Sequence, residues 1–218
     1  MRILASSLAL AAALGLAAPA HAWEAGDWLF RAGTSNISPK SDNGDIDLSA
    51  LSLGTRDLEV SDEYGVTFNV TYMFTRNWAF EVLAALPYTH DVKVKGVGQV
   101  GEVKHLPPTF SAQYHFLPDS SFQPYVGAGI NYTLFFDDKA QGVLSDLGGS
   151  LDVDSSSVGL AAQAGFDYMF NKSWFLNVDL RWIDIETDAE VTVPDVGTLS
   201  QKVDIDPLVY NLNLGYRF

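Results

Sequence analysis

The chain has no cysteine among its 218 residues. It therefore forms no disulfide bond, and metal sites and nucleophiles that need a thiolate are excluded. Basic residues are scarce too, since 13 Lys and Arg stand against 27 Asp and Glu, for a formal charge of −14. So negative a chain predicts no nucleic-acid partner, and no motif in it predicts a cofactor or a metal.

Long apolar runs are nearly absent, and the one that occurs is N-terminal. Residues 3–19 are apolar, follow a short basic start and precede Ala20-His21-Ala22. These are the parts of a secretory signal peptide, which we predict to be cleaved before Trp23; a retained anchor is the alternative. Residues 23–218 then form one domain. If that domain spans a membrane it must be a closed β-barrel, because only closure satisfies every backbone group in lipid.

The C-terminal segment favours such a barrel. Residues 208–218 read LVYNLNLGYRF and alternate apolar or aromatic side chains with small or polar ones. Alternate side chains of a strand lie on opposite faces, and about ten residues of tilted strand cross a bilayer. An outer-membrane barrel turns its apolar face to lipid and the other face to the lumen. We expect the barrel-assembly machinery to bind this last strand, which ends in Phe218.

Similar alternation predicts an all-β fold, an eight-stranded antiparallel transmembrane β-barrel with strands at residues 27–37, 65–74, 78–86, 110–116, 125–134, 158–170, 174–182 and 208–218. The short connections are residues 75–77, 117–121 and 171–173, and the long ones are residues 38–64, 87–108, 137–157 and 188–203. Short periplasmic turns and long extracellular loops are the outer-membrane arrangement. We expect a monomer, because a closed barrel has no free edge.

Aromatic residues collect beside the short turns and indicate a periplasmic girdle: Phe74, Trp78, Phe116, Phe122, Phe170, Trp174 and Phe218. A soluble eight-stranded barrel that holds a ligand is the structural alternative, because its strands alternate in the same way. The girdle and the terminal phenylalanine favour the membrane barrel.

The predicted inward face is mixed. It carries charges that can pair and plug a narrow lumen, at Arg31, Glu81, Asp167, Asp179, Arg181 and Arg217. It also carries apolar residues that we predict to line a channel, at Leu29, Met73, Leu83, Ala85, Phe135, Ile183 and Ile185. Around Ile183 and Ile185, either a β-bulge flips the register, or the strand has risen above the lipid and turns its apolar face inward. The second interpretation makes the upper lumen hydrophobic, which suits a small apolar solute.

Acidic residues collect between the predicted strands. Solvated loops are the favoured interpretation, and loops that bind divalent ions or bridge lipopolysaccharide through them are the alternative, although no spacing fits an EF-hand loop. Catalysis is not expected. Ser111 and His115 share a strand face with Asp167 or Asp179 as a candidate acid, but four residues of strand separate a nucleophile from its base by about 13 Å.

Two sequence runs are specific. Residues 105–109 read His-Leu-Pro-Pro-Thr and residues 124–129 read Pro-Tyr-Val-Gly-Ala-Gly. With the terminal Gly-Tyr-Arg-Phe, they resemble the OmpW family of small outer-membrane β-barrel proteins, which includes an alkane-uptake type. The resemblance implies an outer-membrane channel for passive uptake of small hydrophobic molecules. In it, a narrow apolar upper lumen leads to a lateral exit into the membrane, because the lower lumen is blocked. A structural or receptor barrel without transport is the alternative.

The resemblance also bears on single residues. Leu83 matches a position that narrows the channel in the family, whereas Arg181 stands where a bulky aromatic residue is expected. Proline donates no ladder hydrogen bond, so we place the lateral opening at Leu86, Pro87, Pro107 and Pro108; an ordinary pair of prolines at a strand start is the alternative. Expected partners are outer-membrane lipids, lipopolysaccharide and small hydrophobic solutes.

Overall fold

The computed structural model describes residues 23–40, 42–49 and 54–218, so the predicted signal peptide lies outside the described residues. In these residues the chain forms fifteen strands and one short helix. The strands are β1 Trp28–Ser38, β2 Asp45–Asp47, β3 Thr55–Val60, β4 Glu63–Met73, β5 Trp78–Ala85, β6 Tyr88–Val94, β7 Gly98–Leu106, β8 Thr109–His115, β9 Phe122–Ala140, β10 Ser150–Val153, β11 Ser156–Met169, β12 Trp174–Ile183, β13 Glu186–Val193, β14 Gly197–Asp204 and β15 Leu208–Arg217. The helix is α1 Gly142–Asp146. No helix in the described part of the chain is long and apolar enough to cross a membrane.

Eight of the strands close into an antiparallel barrel. The ring runs β1, β4, β5, β8, β9, β11, β12 and β15, and β15 pairs again with β1. The closing seam is continuous from Leu29↔Arg217 to Ser38↔Leu208. The predicted eight-stranded barrel is therefore confirmed. The largest difference in bounds is at β9, which runs well beyond the predicted residues 125–134 at both ends.

The outer wall of the barrel is apolar, as the alternation predicts. Outward residues such as Phe68, Val70 and Leu212 are exposed, while the polar residues between them are buried inside. The seven predicted girdle aromatics are also exposed, from 43% for Phe122 to 73% for Phe218. Because large exposed aromatics at one rim suit the boundary between lipid and water, this surface is built for a membrane.

The long connections are not irregular loops. The connection between β1 and β4 contains β2 and β3, and β6 and β7 form a hairpin beyond β5 and β8. Strands β2, β3, β6 and β7 extend one sheet to the upper part of β9, and β10, β13 and β14 form a second sheet. Sequence alternation does continue in these segments, but prolines and glycines interrupt it. The sequence of these segments therefore predicts loops.

The buried residues form two separate apolar clusters. The lower apolar cluster lies near the short turns and consists of Trp23, Leu29, Met73, Ala79, Met169 and Phe175. The upper apolar cluster joins the extracellular ends of the barrel to the two sheets above it, and consists of Ile37, Ile46, Leu48, Leu58, Tyr88, Val94, Val103, Phe135, Leu144, Leu151, Ala161, Ile183, Ile185, Ala189, Val193, Val203, Ile205 and Val209. The interior is thus divided along the barrel axis.

Candidate functional site

Strand β1 shows how the interior changes with height. Its inward residues begin with Leu29 in the lower apolar cluster, continue through Arg31 and Ser35, and end with Ile37 in the upper apolar cluster. Strand β12 repeats the order, from Phe175 through a charged stretch to Ile183. Both strands keep one parity throughout, so the interior is layered by residue choice alone.

The middle layer is a buried network of ions, the charge network, made of Arg31, Glu81, Asp167, Asp179 and Arg181. Glu81 bridges two arginines, with Oε2 2.9 Å from Nη1 of Arg31 and Oε1 2.7 Å from Nη2 of Arg181. Arg31 also donates from Nε and Nη2 to the two oxygens of Asp167, at 3.2 and 2.8 Å. Arg181 lies 3.3 Å from Asp179. Each of these five residues is at most 2% exposed.

Neutral polar groups complete the charge network. Asn177 donates to Asp167 at 2.9 Å, and Asn211 donates to Asp179 at 3.0 Å. The hydroxyl of Thr71 lies 2.7 Å from Nη1 of Arg31. Buried charges persist only when they are paired and hydrogen-bonded, and here each ion has several partners. The charge network thus joins side chains of β1, β5, β11 and β12 across the barrel interior.

Arg217 was predicted to join this plug, and the structure places it elsewhere. Its Nε lies 2.8 Å from Asp27, and its guanidinium lies 6.0 Å from the ring of Trp23, at the end of the barrel with the short turns. Parity gives the face of a strand but not the height of a residue along it. The strand-end position of Arg217 therefore separates it from the other five predicted plug residues, which do come together.

The predicted channel-lining residues divide in the same way. Leu29 and Met73 lie in the lower apolar cluster, below the charge network. Leu83 is buried one inward step beyond Glu81, and Ala85 packs against the upper apolar cluster. Phe135, Ile183 and Ile185 belong to the upper apolar cluster. The ladders of β12 show no register shift up to Ile183, so Ile183 faces inward on the same parity as Arg181 and no bulge is needed.

The upper apolar cluster encloses two cavities. The larger has a volume of about 230 Å³ and is lined by 16 residues, of which Gln201 is the one polar member. The smaller, of about 50 Å³, lies against it and shares the walls formed by Val92, Leu151, Ala189 and Val203. An apolar cavity of the size of the larger one stays dry and takes apolar solutes. Helix α1 contributes Leu144 to the lining of the larger cavity.

Two stacked histidines line the smaller cavity. His90 and His105 lie on the β6–β7 hairpin with ring centroids 4.8 Å apart and planes at 16°, and Tyr88 stacks on the other side of His105 at 5.6 Å. Gly65 gives the Tyr88 ring its room, because a Cβ at that position would collide with it. Burial lowers the pKa of His90, and burial with the nearby His90 lowers the pKa of His105 to about 3. Both imidazoles are therefore neutral.

The barrel wall loses its ladder between β5 and β8. The last pair is Leu83↔Thr109, and pairing resumes only at Tyr88↔His105 in the hairpin above. Each edge of the gap is held by its other neighbour. Leu86 N donates to Val66 O at 3.0 Å, and Pro108 O accepts from Tyr132 N at 3.0 Å. Residues 84–87 and 106–108 thus face each other across a stretch without paired strands.

Comparison with known proteins matches residues 24–218 to the model of the OmpW family. The chain belongs to the OmpW family. It is 43% identical to outer membrane protein W of Vibrio cholerae, over 97% of each chain, and 30% identical to outer membrane protein AlkL of Ectopseudomonas oleovorans, over 100% of this chain and 96% of the other. Its fold is similar to the crystal structure of the outer membrane protein OprG from Pseudomonas aeruginosa, with a TM-score of 0.83, 35% identity, and coverage of 91% of this chain and 98% of that one. This OmpW-family barrel resides in the outer membrane.

The candidate catalytic pair is not assembled in this OmpW-family barrel. His115 Nε2 lies 3.3 Å from Gln113, its Nδ1 has no hydrogen-bond partner, and its ring packs on Tyr125. Ser111 therefore has no activating base in His115. Within residues 23–40, 42–49 and 54–218, no group of three or more His, Asp or Glu side chains is arranged to hold a metal ion.

Sequence reasoning missed the histidine stack. Residues 87–108 were predicted to be one long loop, and histidines in a loop have no defined neighbours. The signal that could have found them is the alternation of Tyr88, His90, Val92 and Val94, which is interrupted only by a register shift after Val92.

Proposed function

We propose that this barrel admits small hydrophobic molecules passively from outside and releases them sideways into the outer membrane. One observation carries the proposal: the two adjoining apolar cavities, together called the chamber, lie beyond the charge network, and His105, which lines the smaller cavity, directly precedes the stretch where the barrel wall loses its ladder. A solute that moved from the chamber through the charge network would have to separate its ion pairs. A buried charge without a partner costs free energy, so this route is unfavourable. The gap is the lower-energy route.

The gap suits a lateral exit for two reasons. Pro87, Pro107 and Pro108 have no N–H to pair across it, so closing the ladder there would gain little. Leu86 is 55% exposed on the lipid side, and Ala85 packs against the upper apolar cluster on the inner side. An apolar solute that moves between them exchanges one hydrocarbon-like environment for another, so the hydrophobic effect does not oppose its release.

The fold also supports the other partners that we propose. The outward apolar wall and its aromatic girdle contact outer-membrane lipids, and the strands above them stand at the level of lipopolysaccharide. The closed ring has no free edge to recruit a second copy, so the barrel acts as a monomer. The last strand, ending in Phe218, is the segment that we expect the assembly machinery to bind. Catalysis is not part of the proposal.

A disulfide across the gap tests the proposal, and the absence of native cysteine makes the test clean. Ala85 and Pro107 would be the next inward pair if the ladder continued beyond Leu83↔Thr109. We expect n-octane uptake by cells to rise with the protein, to fall to background in oxidised Ala85→Cys/Pro107→Cys, and to return on reduction. A control disulfide at the paired positions Ala164 and Leu180 should leave uptake unchanged.

Two results would count against the proposal. Uptake that persists through the closed gap would remove the lateral exit. Uptake equal in cells with and without a folded barrel would remove transport altogether and leave a structural or receptor role.

A further inference from the structure

One wall of the larger cavity differs from the others. Most of its lining residues lie on paired strands, whereas Val143, Leu144 and Leu147 lie on α1 or directly after it. Val143 is 41% exposed and Leu147 is 49% exposed, although both side chains line the cavity. These two side chains therefore border both the cavity and the outside of the protein.

The segment that contains α1 makes few directional contacts with its surroundings. In the part of the chain that the structure describes, no hydrogen bond or ion pair joins residues 142–148 to a strand. The nearest such bond lies just before them, where Gln141 N donates to Val100 O at 2.9 Å. A wall of paired strands opens only when ladder hydrogen bonds break, whereas α1 can move by giving up apolar contacts alone.

A glycine lies at each end of this segment. Gly142 has a φ of +52° and Gly148 has a φ of +70°, a region that glycine adopts without strain. A few such positions can absorb the backbone rotation of a hinged segment. Between them, Leu144 is the buried residue of α1, and it packs into the space that the missing side chain of Gly149 leaves. Leu144 therefore holds α1 against the cavity.

We propose that α1 is a hinged cover over the entrance of the larger cavity, and that Leu144 is the side chain that keeps this cover closed. When α1 swings outward, Leu144 leaves the cavity and a small hydrophobic molecule enters, with Val143 and Leu147 as apolar contacts at the mouth. The hydrophobic effect then favours closure, because closure removes these apolar side chains from water. The inference rests on the proposed uptake of small hydrophobic molecules, and it adds where they enter and which residue controls entry.

The first test measures opening without any need for transport. Leu151→Cys provides a single thiol in the cavity wall, because the chain has no native cysteine. The purified barrel in lipid nanodiscs is treated with N-ethylmaleimide, and the rate of thiol alkylation is measured. Adding Leu144→Ala should raise this rate about tenfold, because the burial that stabilises the closed cover is lost.

Leu58→Ala is the matched control for this test. Leu58 is a leucine of the same cavity lining and is 5% exposed, against 4% for Leu144, but it lies on the paired strand β3. Leu58→Ala should leave the alkylation rate nearly unchanged. An equal rise in the two variants, or no rise in Leu144→Ala, would overturn the inference.

The second test locks the cover. A Cβ at Gly148 would lie 3.8 Å from Cγ of Pro194, which follows β13, so a disulfide can join the two positions. Cysteine at position 148 is strained by the positive φ, so the oxidised and reduced forms of the same Gly148→Cys/Pro194→Cys variant are compared. Uptake of n-octane by cells should fall to background on oxidation and return on reduction.

Uptake that persists in the oxidised form contradicts a hinged cover. If the parent barrel takes up no n-octane either, the proposed function fails instead. The alkylation rates then still decide whether α1 opens, because they depend on access to the cavity and not on release into the membrane.

Discussion

The middle and the upper interior of this barrel are built on the same strands and stabilised in opposite ways. In the middle, ion pairs of 2.7–2.9 Å join Glu81 to Arg31 and to Arg181, and each buried charge is compensated by an opposite charge beside it. In the upper part, aliphatic side chains pack without directional bonds and leave about 230 Å³ unfilled. The charge network joins facing walls through directional bonds, whereas the upper apolar cluster leaves unfilled space between its side chains.

The difference shows what alternation does and does not specify. Alternation along a strand determines which side chains face inward. The type of residue at each height along the barrel axis determines whether the interior is charged or apolar there. On β12 the inward residues Asp179 and Arg181 are charged, and the next inward residue, Ile183, is apolar. A charged layer and an apolar layer can therefore share one strand, and substitutions at neighbouring inward positions should have unlike effects.

The largest effect is expected at Glu81. Glu81→Gln leaves Arg31 with Asp167 alone and Arg181 with Asp179 alone as buried counter-charges, and removing one partner of a buried pair costs about 3–5 kcal/mol. Thermal unfolding of the purified barrel in detergent should fall markedly in temperature. Glu59→Gln, at an exposed position on β3, is the matched control and should leave the transition unchanged. Equal transitions for the two variants would mean that the charge network does not stabilise the barrel.

Filling the chamber should separate uptake from stability. Ala189 lines both cavities, so Ala189→Trp places a large side chain in the proposed solute space. We expect n-octane uptake to drop to near background while the barrel still folds and reaches the surface. Ala162→Trp adds a side chain of the same size on the exposed outer wall and should keep uptake. Normal uptake through the filled chamber would show that solutes take another route.

Acid should loosen the upper part selectively. The lowered pKa of His105, from 6.5 to about 3, means that its contribution to stability is full above about pH 6.5 and is lost as the pH falls below that value. At pH 5 the loss is about 2 kcal/mol from the two pKa values. Hydrogen exchange of the β6–β7 amides, corrected for the intrinsic rate, should quicken between pH 7 and pH 5. The double variant His90→Phe/His105→Phe should remove that pH dependence, since burial lowers the pKa of both histidines, and a double variant that keeps it would contradict the assignment.

The smallest effect is expected at the periplasmic turns. Arg76 and Asp119 form an ion pair between two turns, and both side chains are exposed. Exposed pairs contribute little, because solvent and salt screen them. Asp119→Asn should leave the unfolding temperature within experimental error at physiological salt. A shift as large as that of Glu81→Gln would remove the contrast between buried and exposed ions.

Much of the membrane barrel could be predicted from the sequence because its alternation is strict. The eight strands, their antiparallel order and the exposed girdle depend on period and turn length, which are local properties. Five of the six predicted plug residues meet for the same reason, since a narrow lumen leaves inward charges little choice of neighbour. Arg217 was misplaced because alternation carries no information about height.

The upper part could not be predicted in the same way. Pro87, Pro107 and Pro108 read as ends of strands, and they do interrupt the ladder, yet the chain resumes pairing beyond them. The contact of His90 with His105 depends on a diagonal register across the β6–β7 hairpin, which a bulge near Val92 shifts. Alternation along a strand does not show where a bulge falls, so this diagonal contact could not be predicted from either strand alone.

The most direct measurement locates the solute inside the barrel. The protein, with protonated methyl groups on a deuterated background, is placed in deuterated lipid with protonated n-octane, and intermolecular nuclear Overhauser effects are recorded. The account predicts contacts from n-octane to the inward methyl groups of Leu151, Ile183 and Leu83, and none to Leu29, Met73 or Met169. Contacts to those lower methyl groups would show that the solute crosses the charge network, which would contradict both the block and the lateral exit.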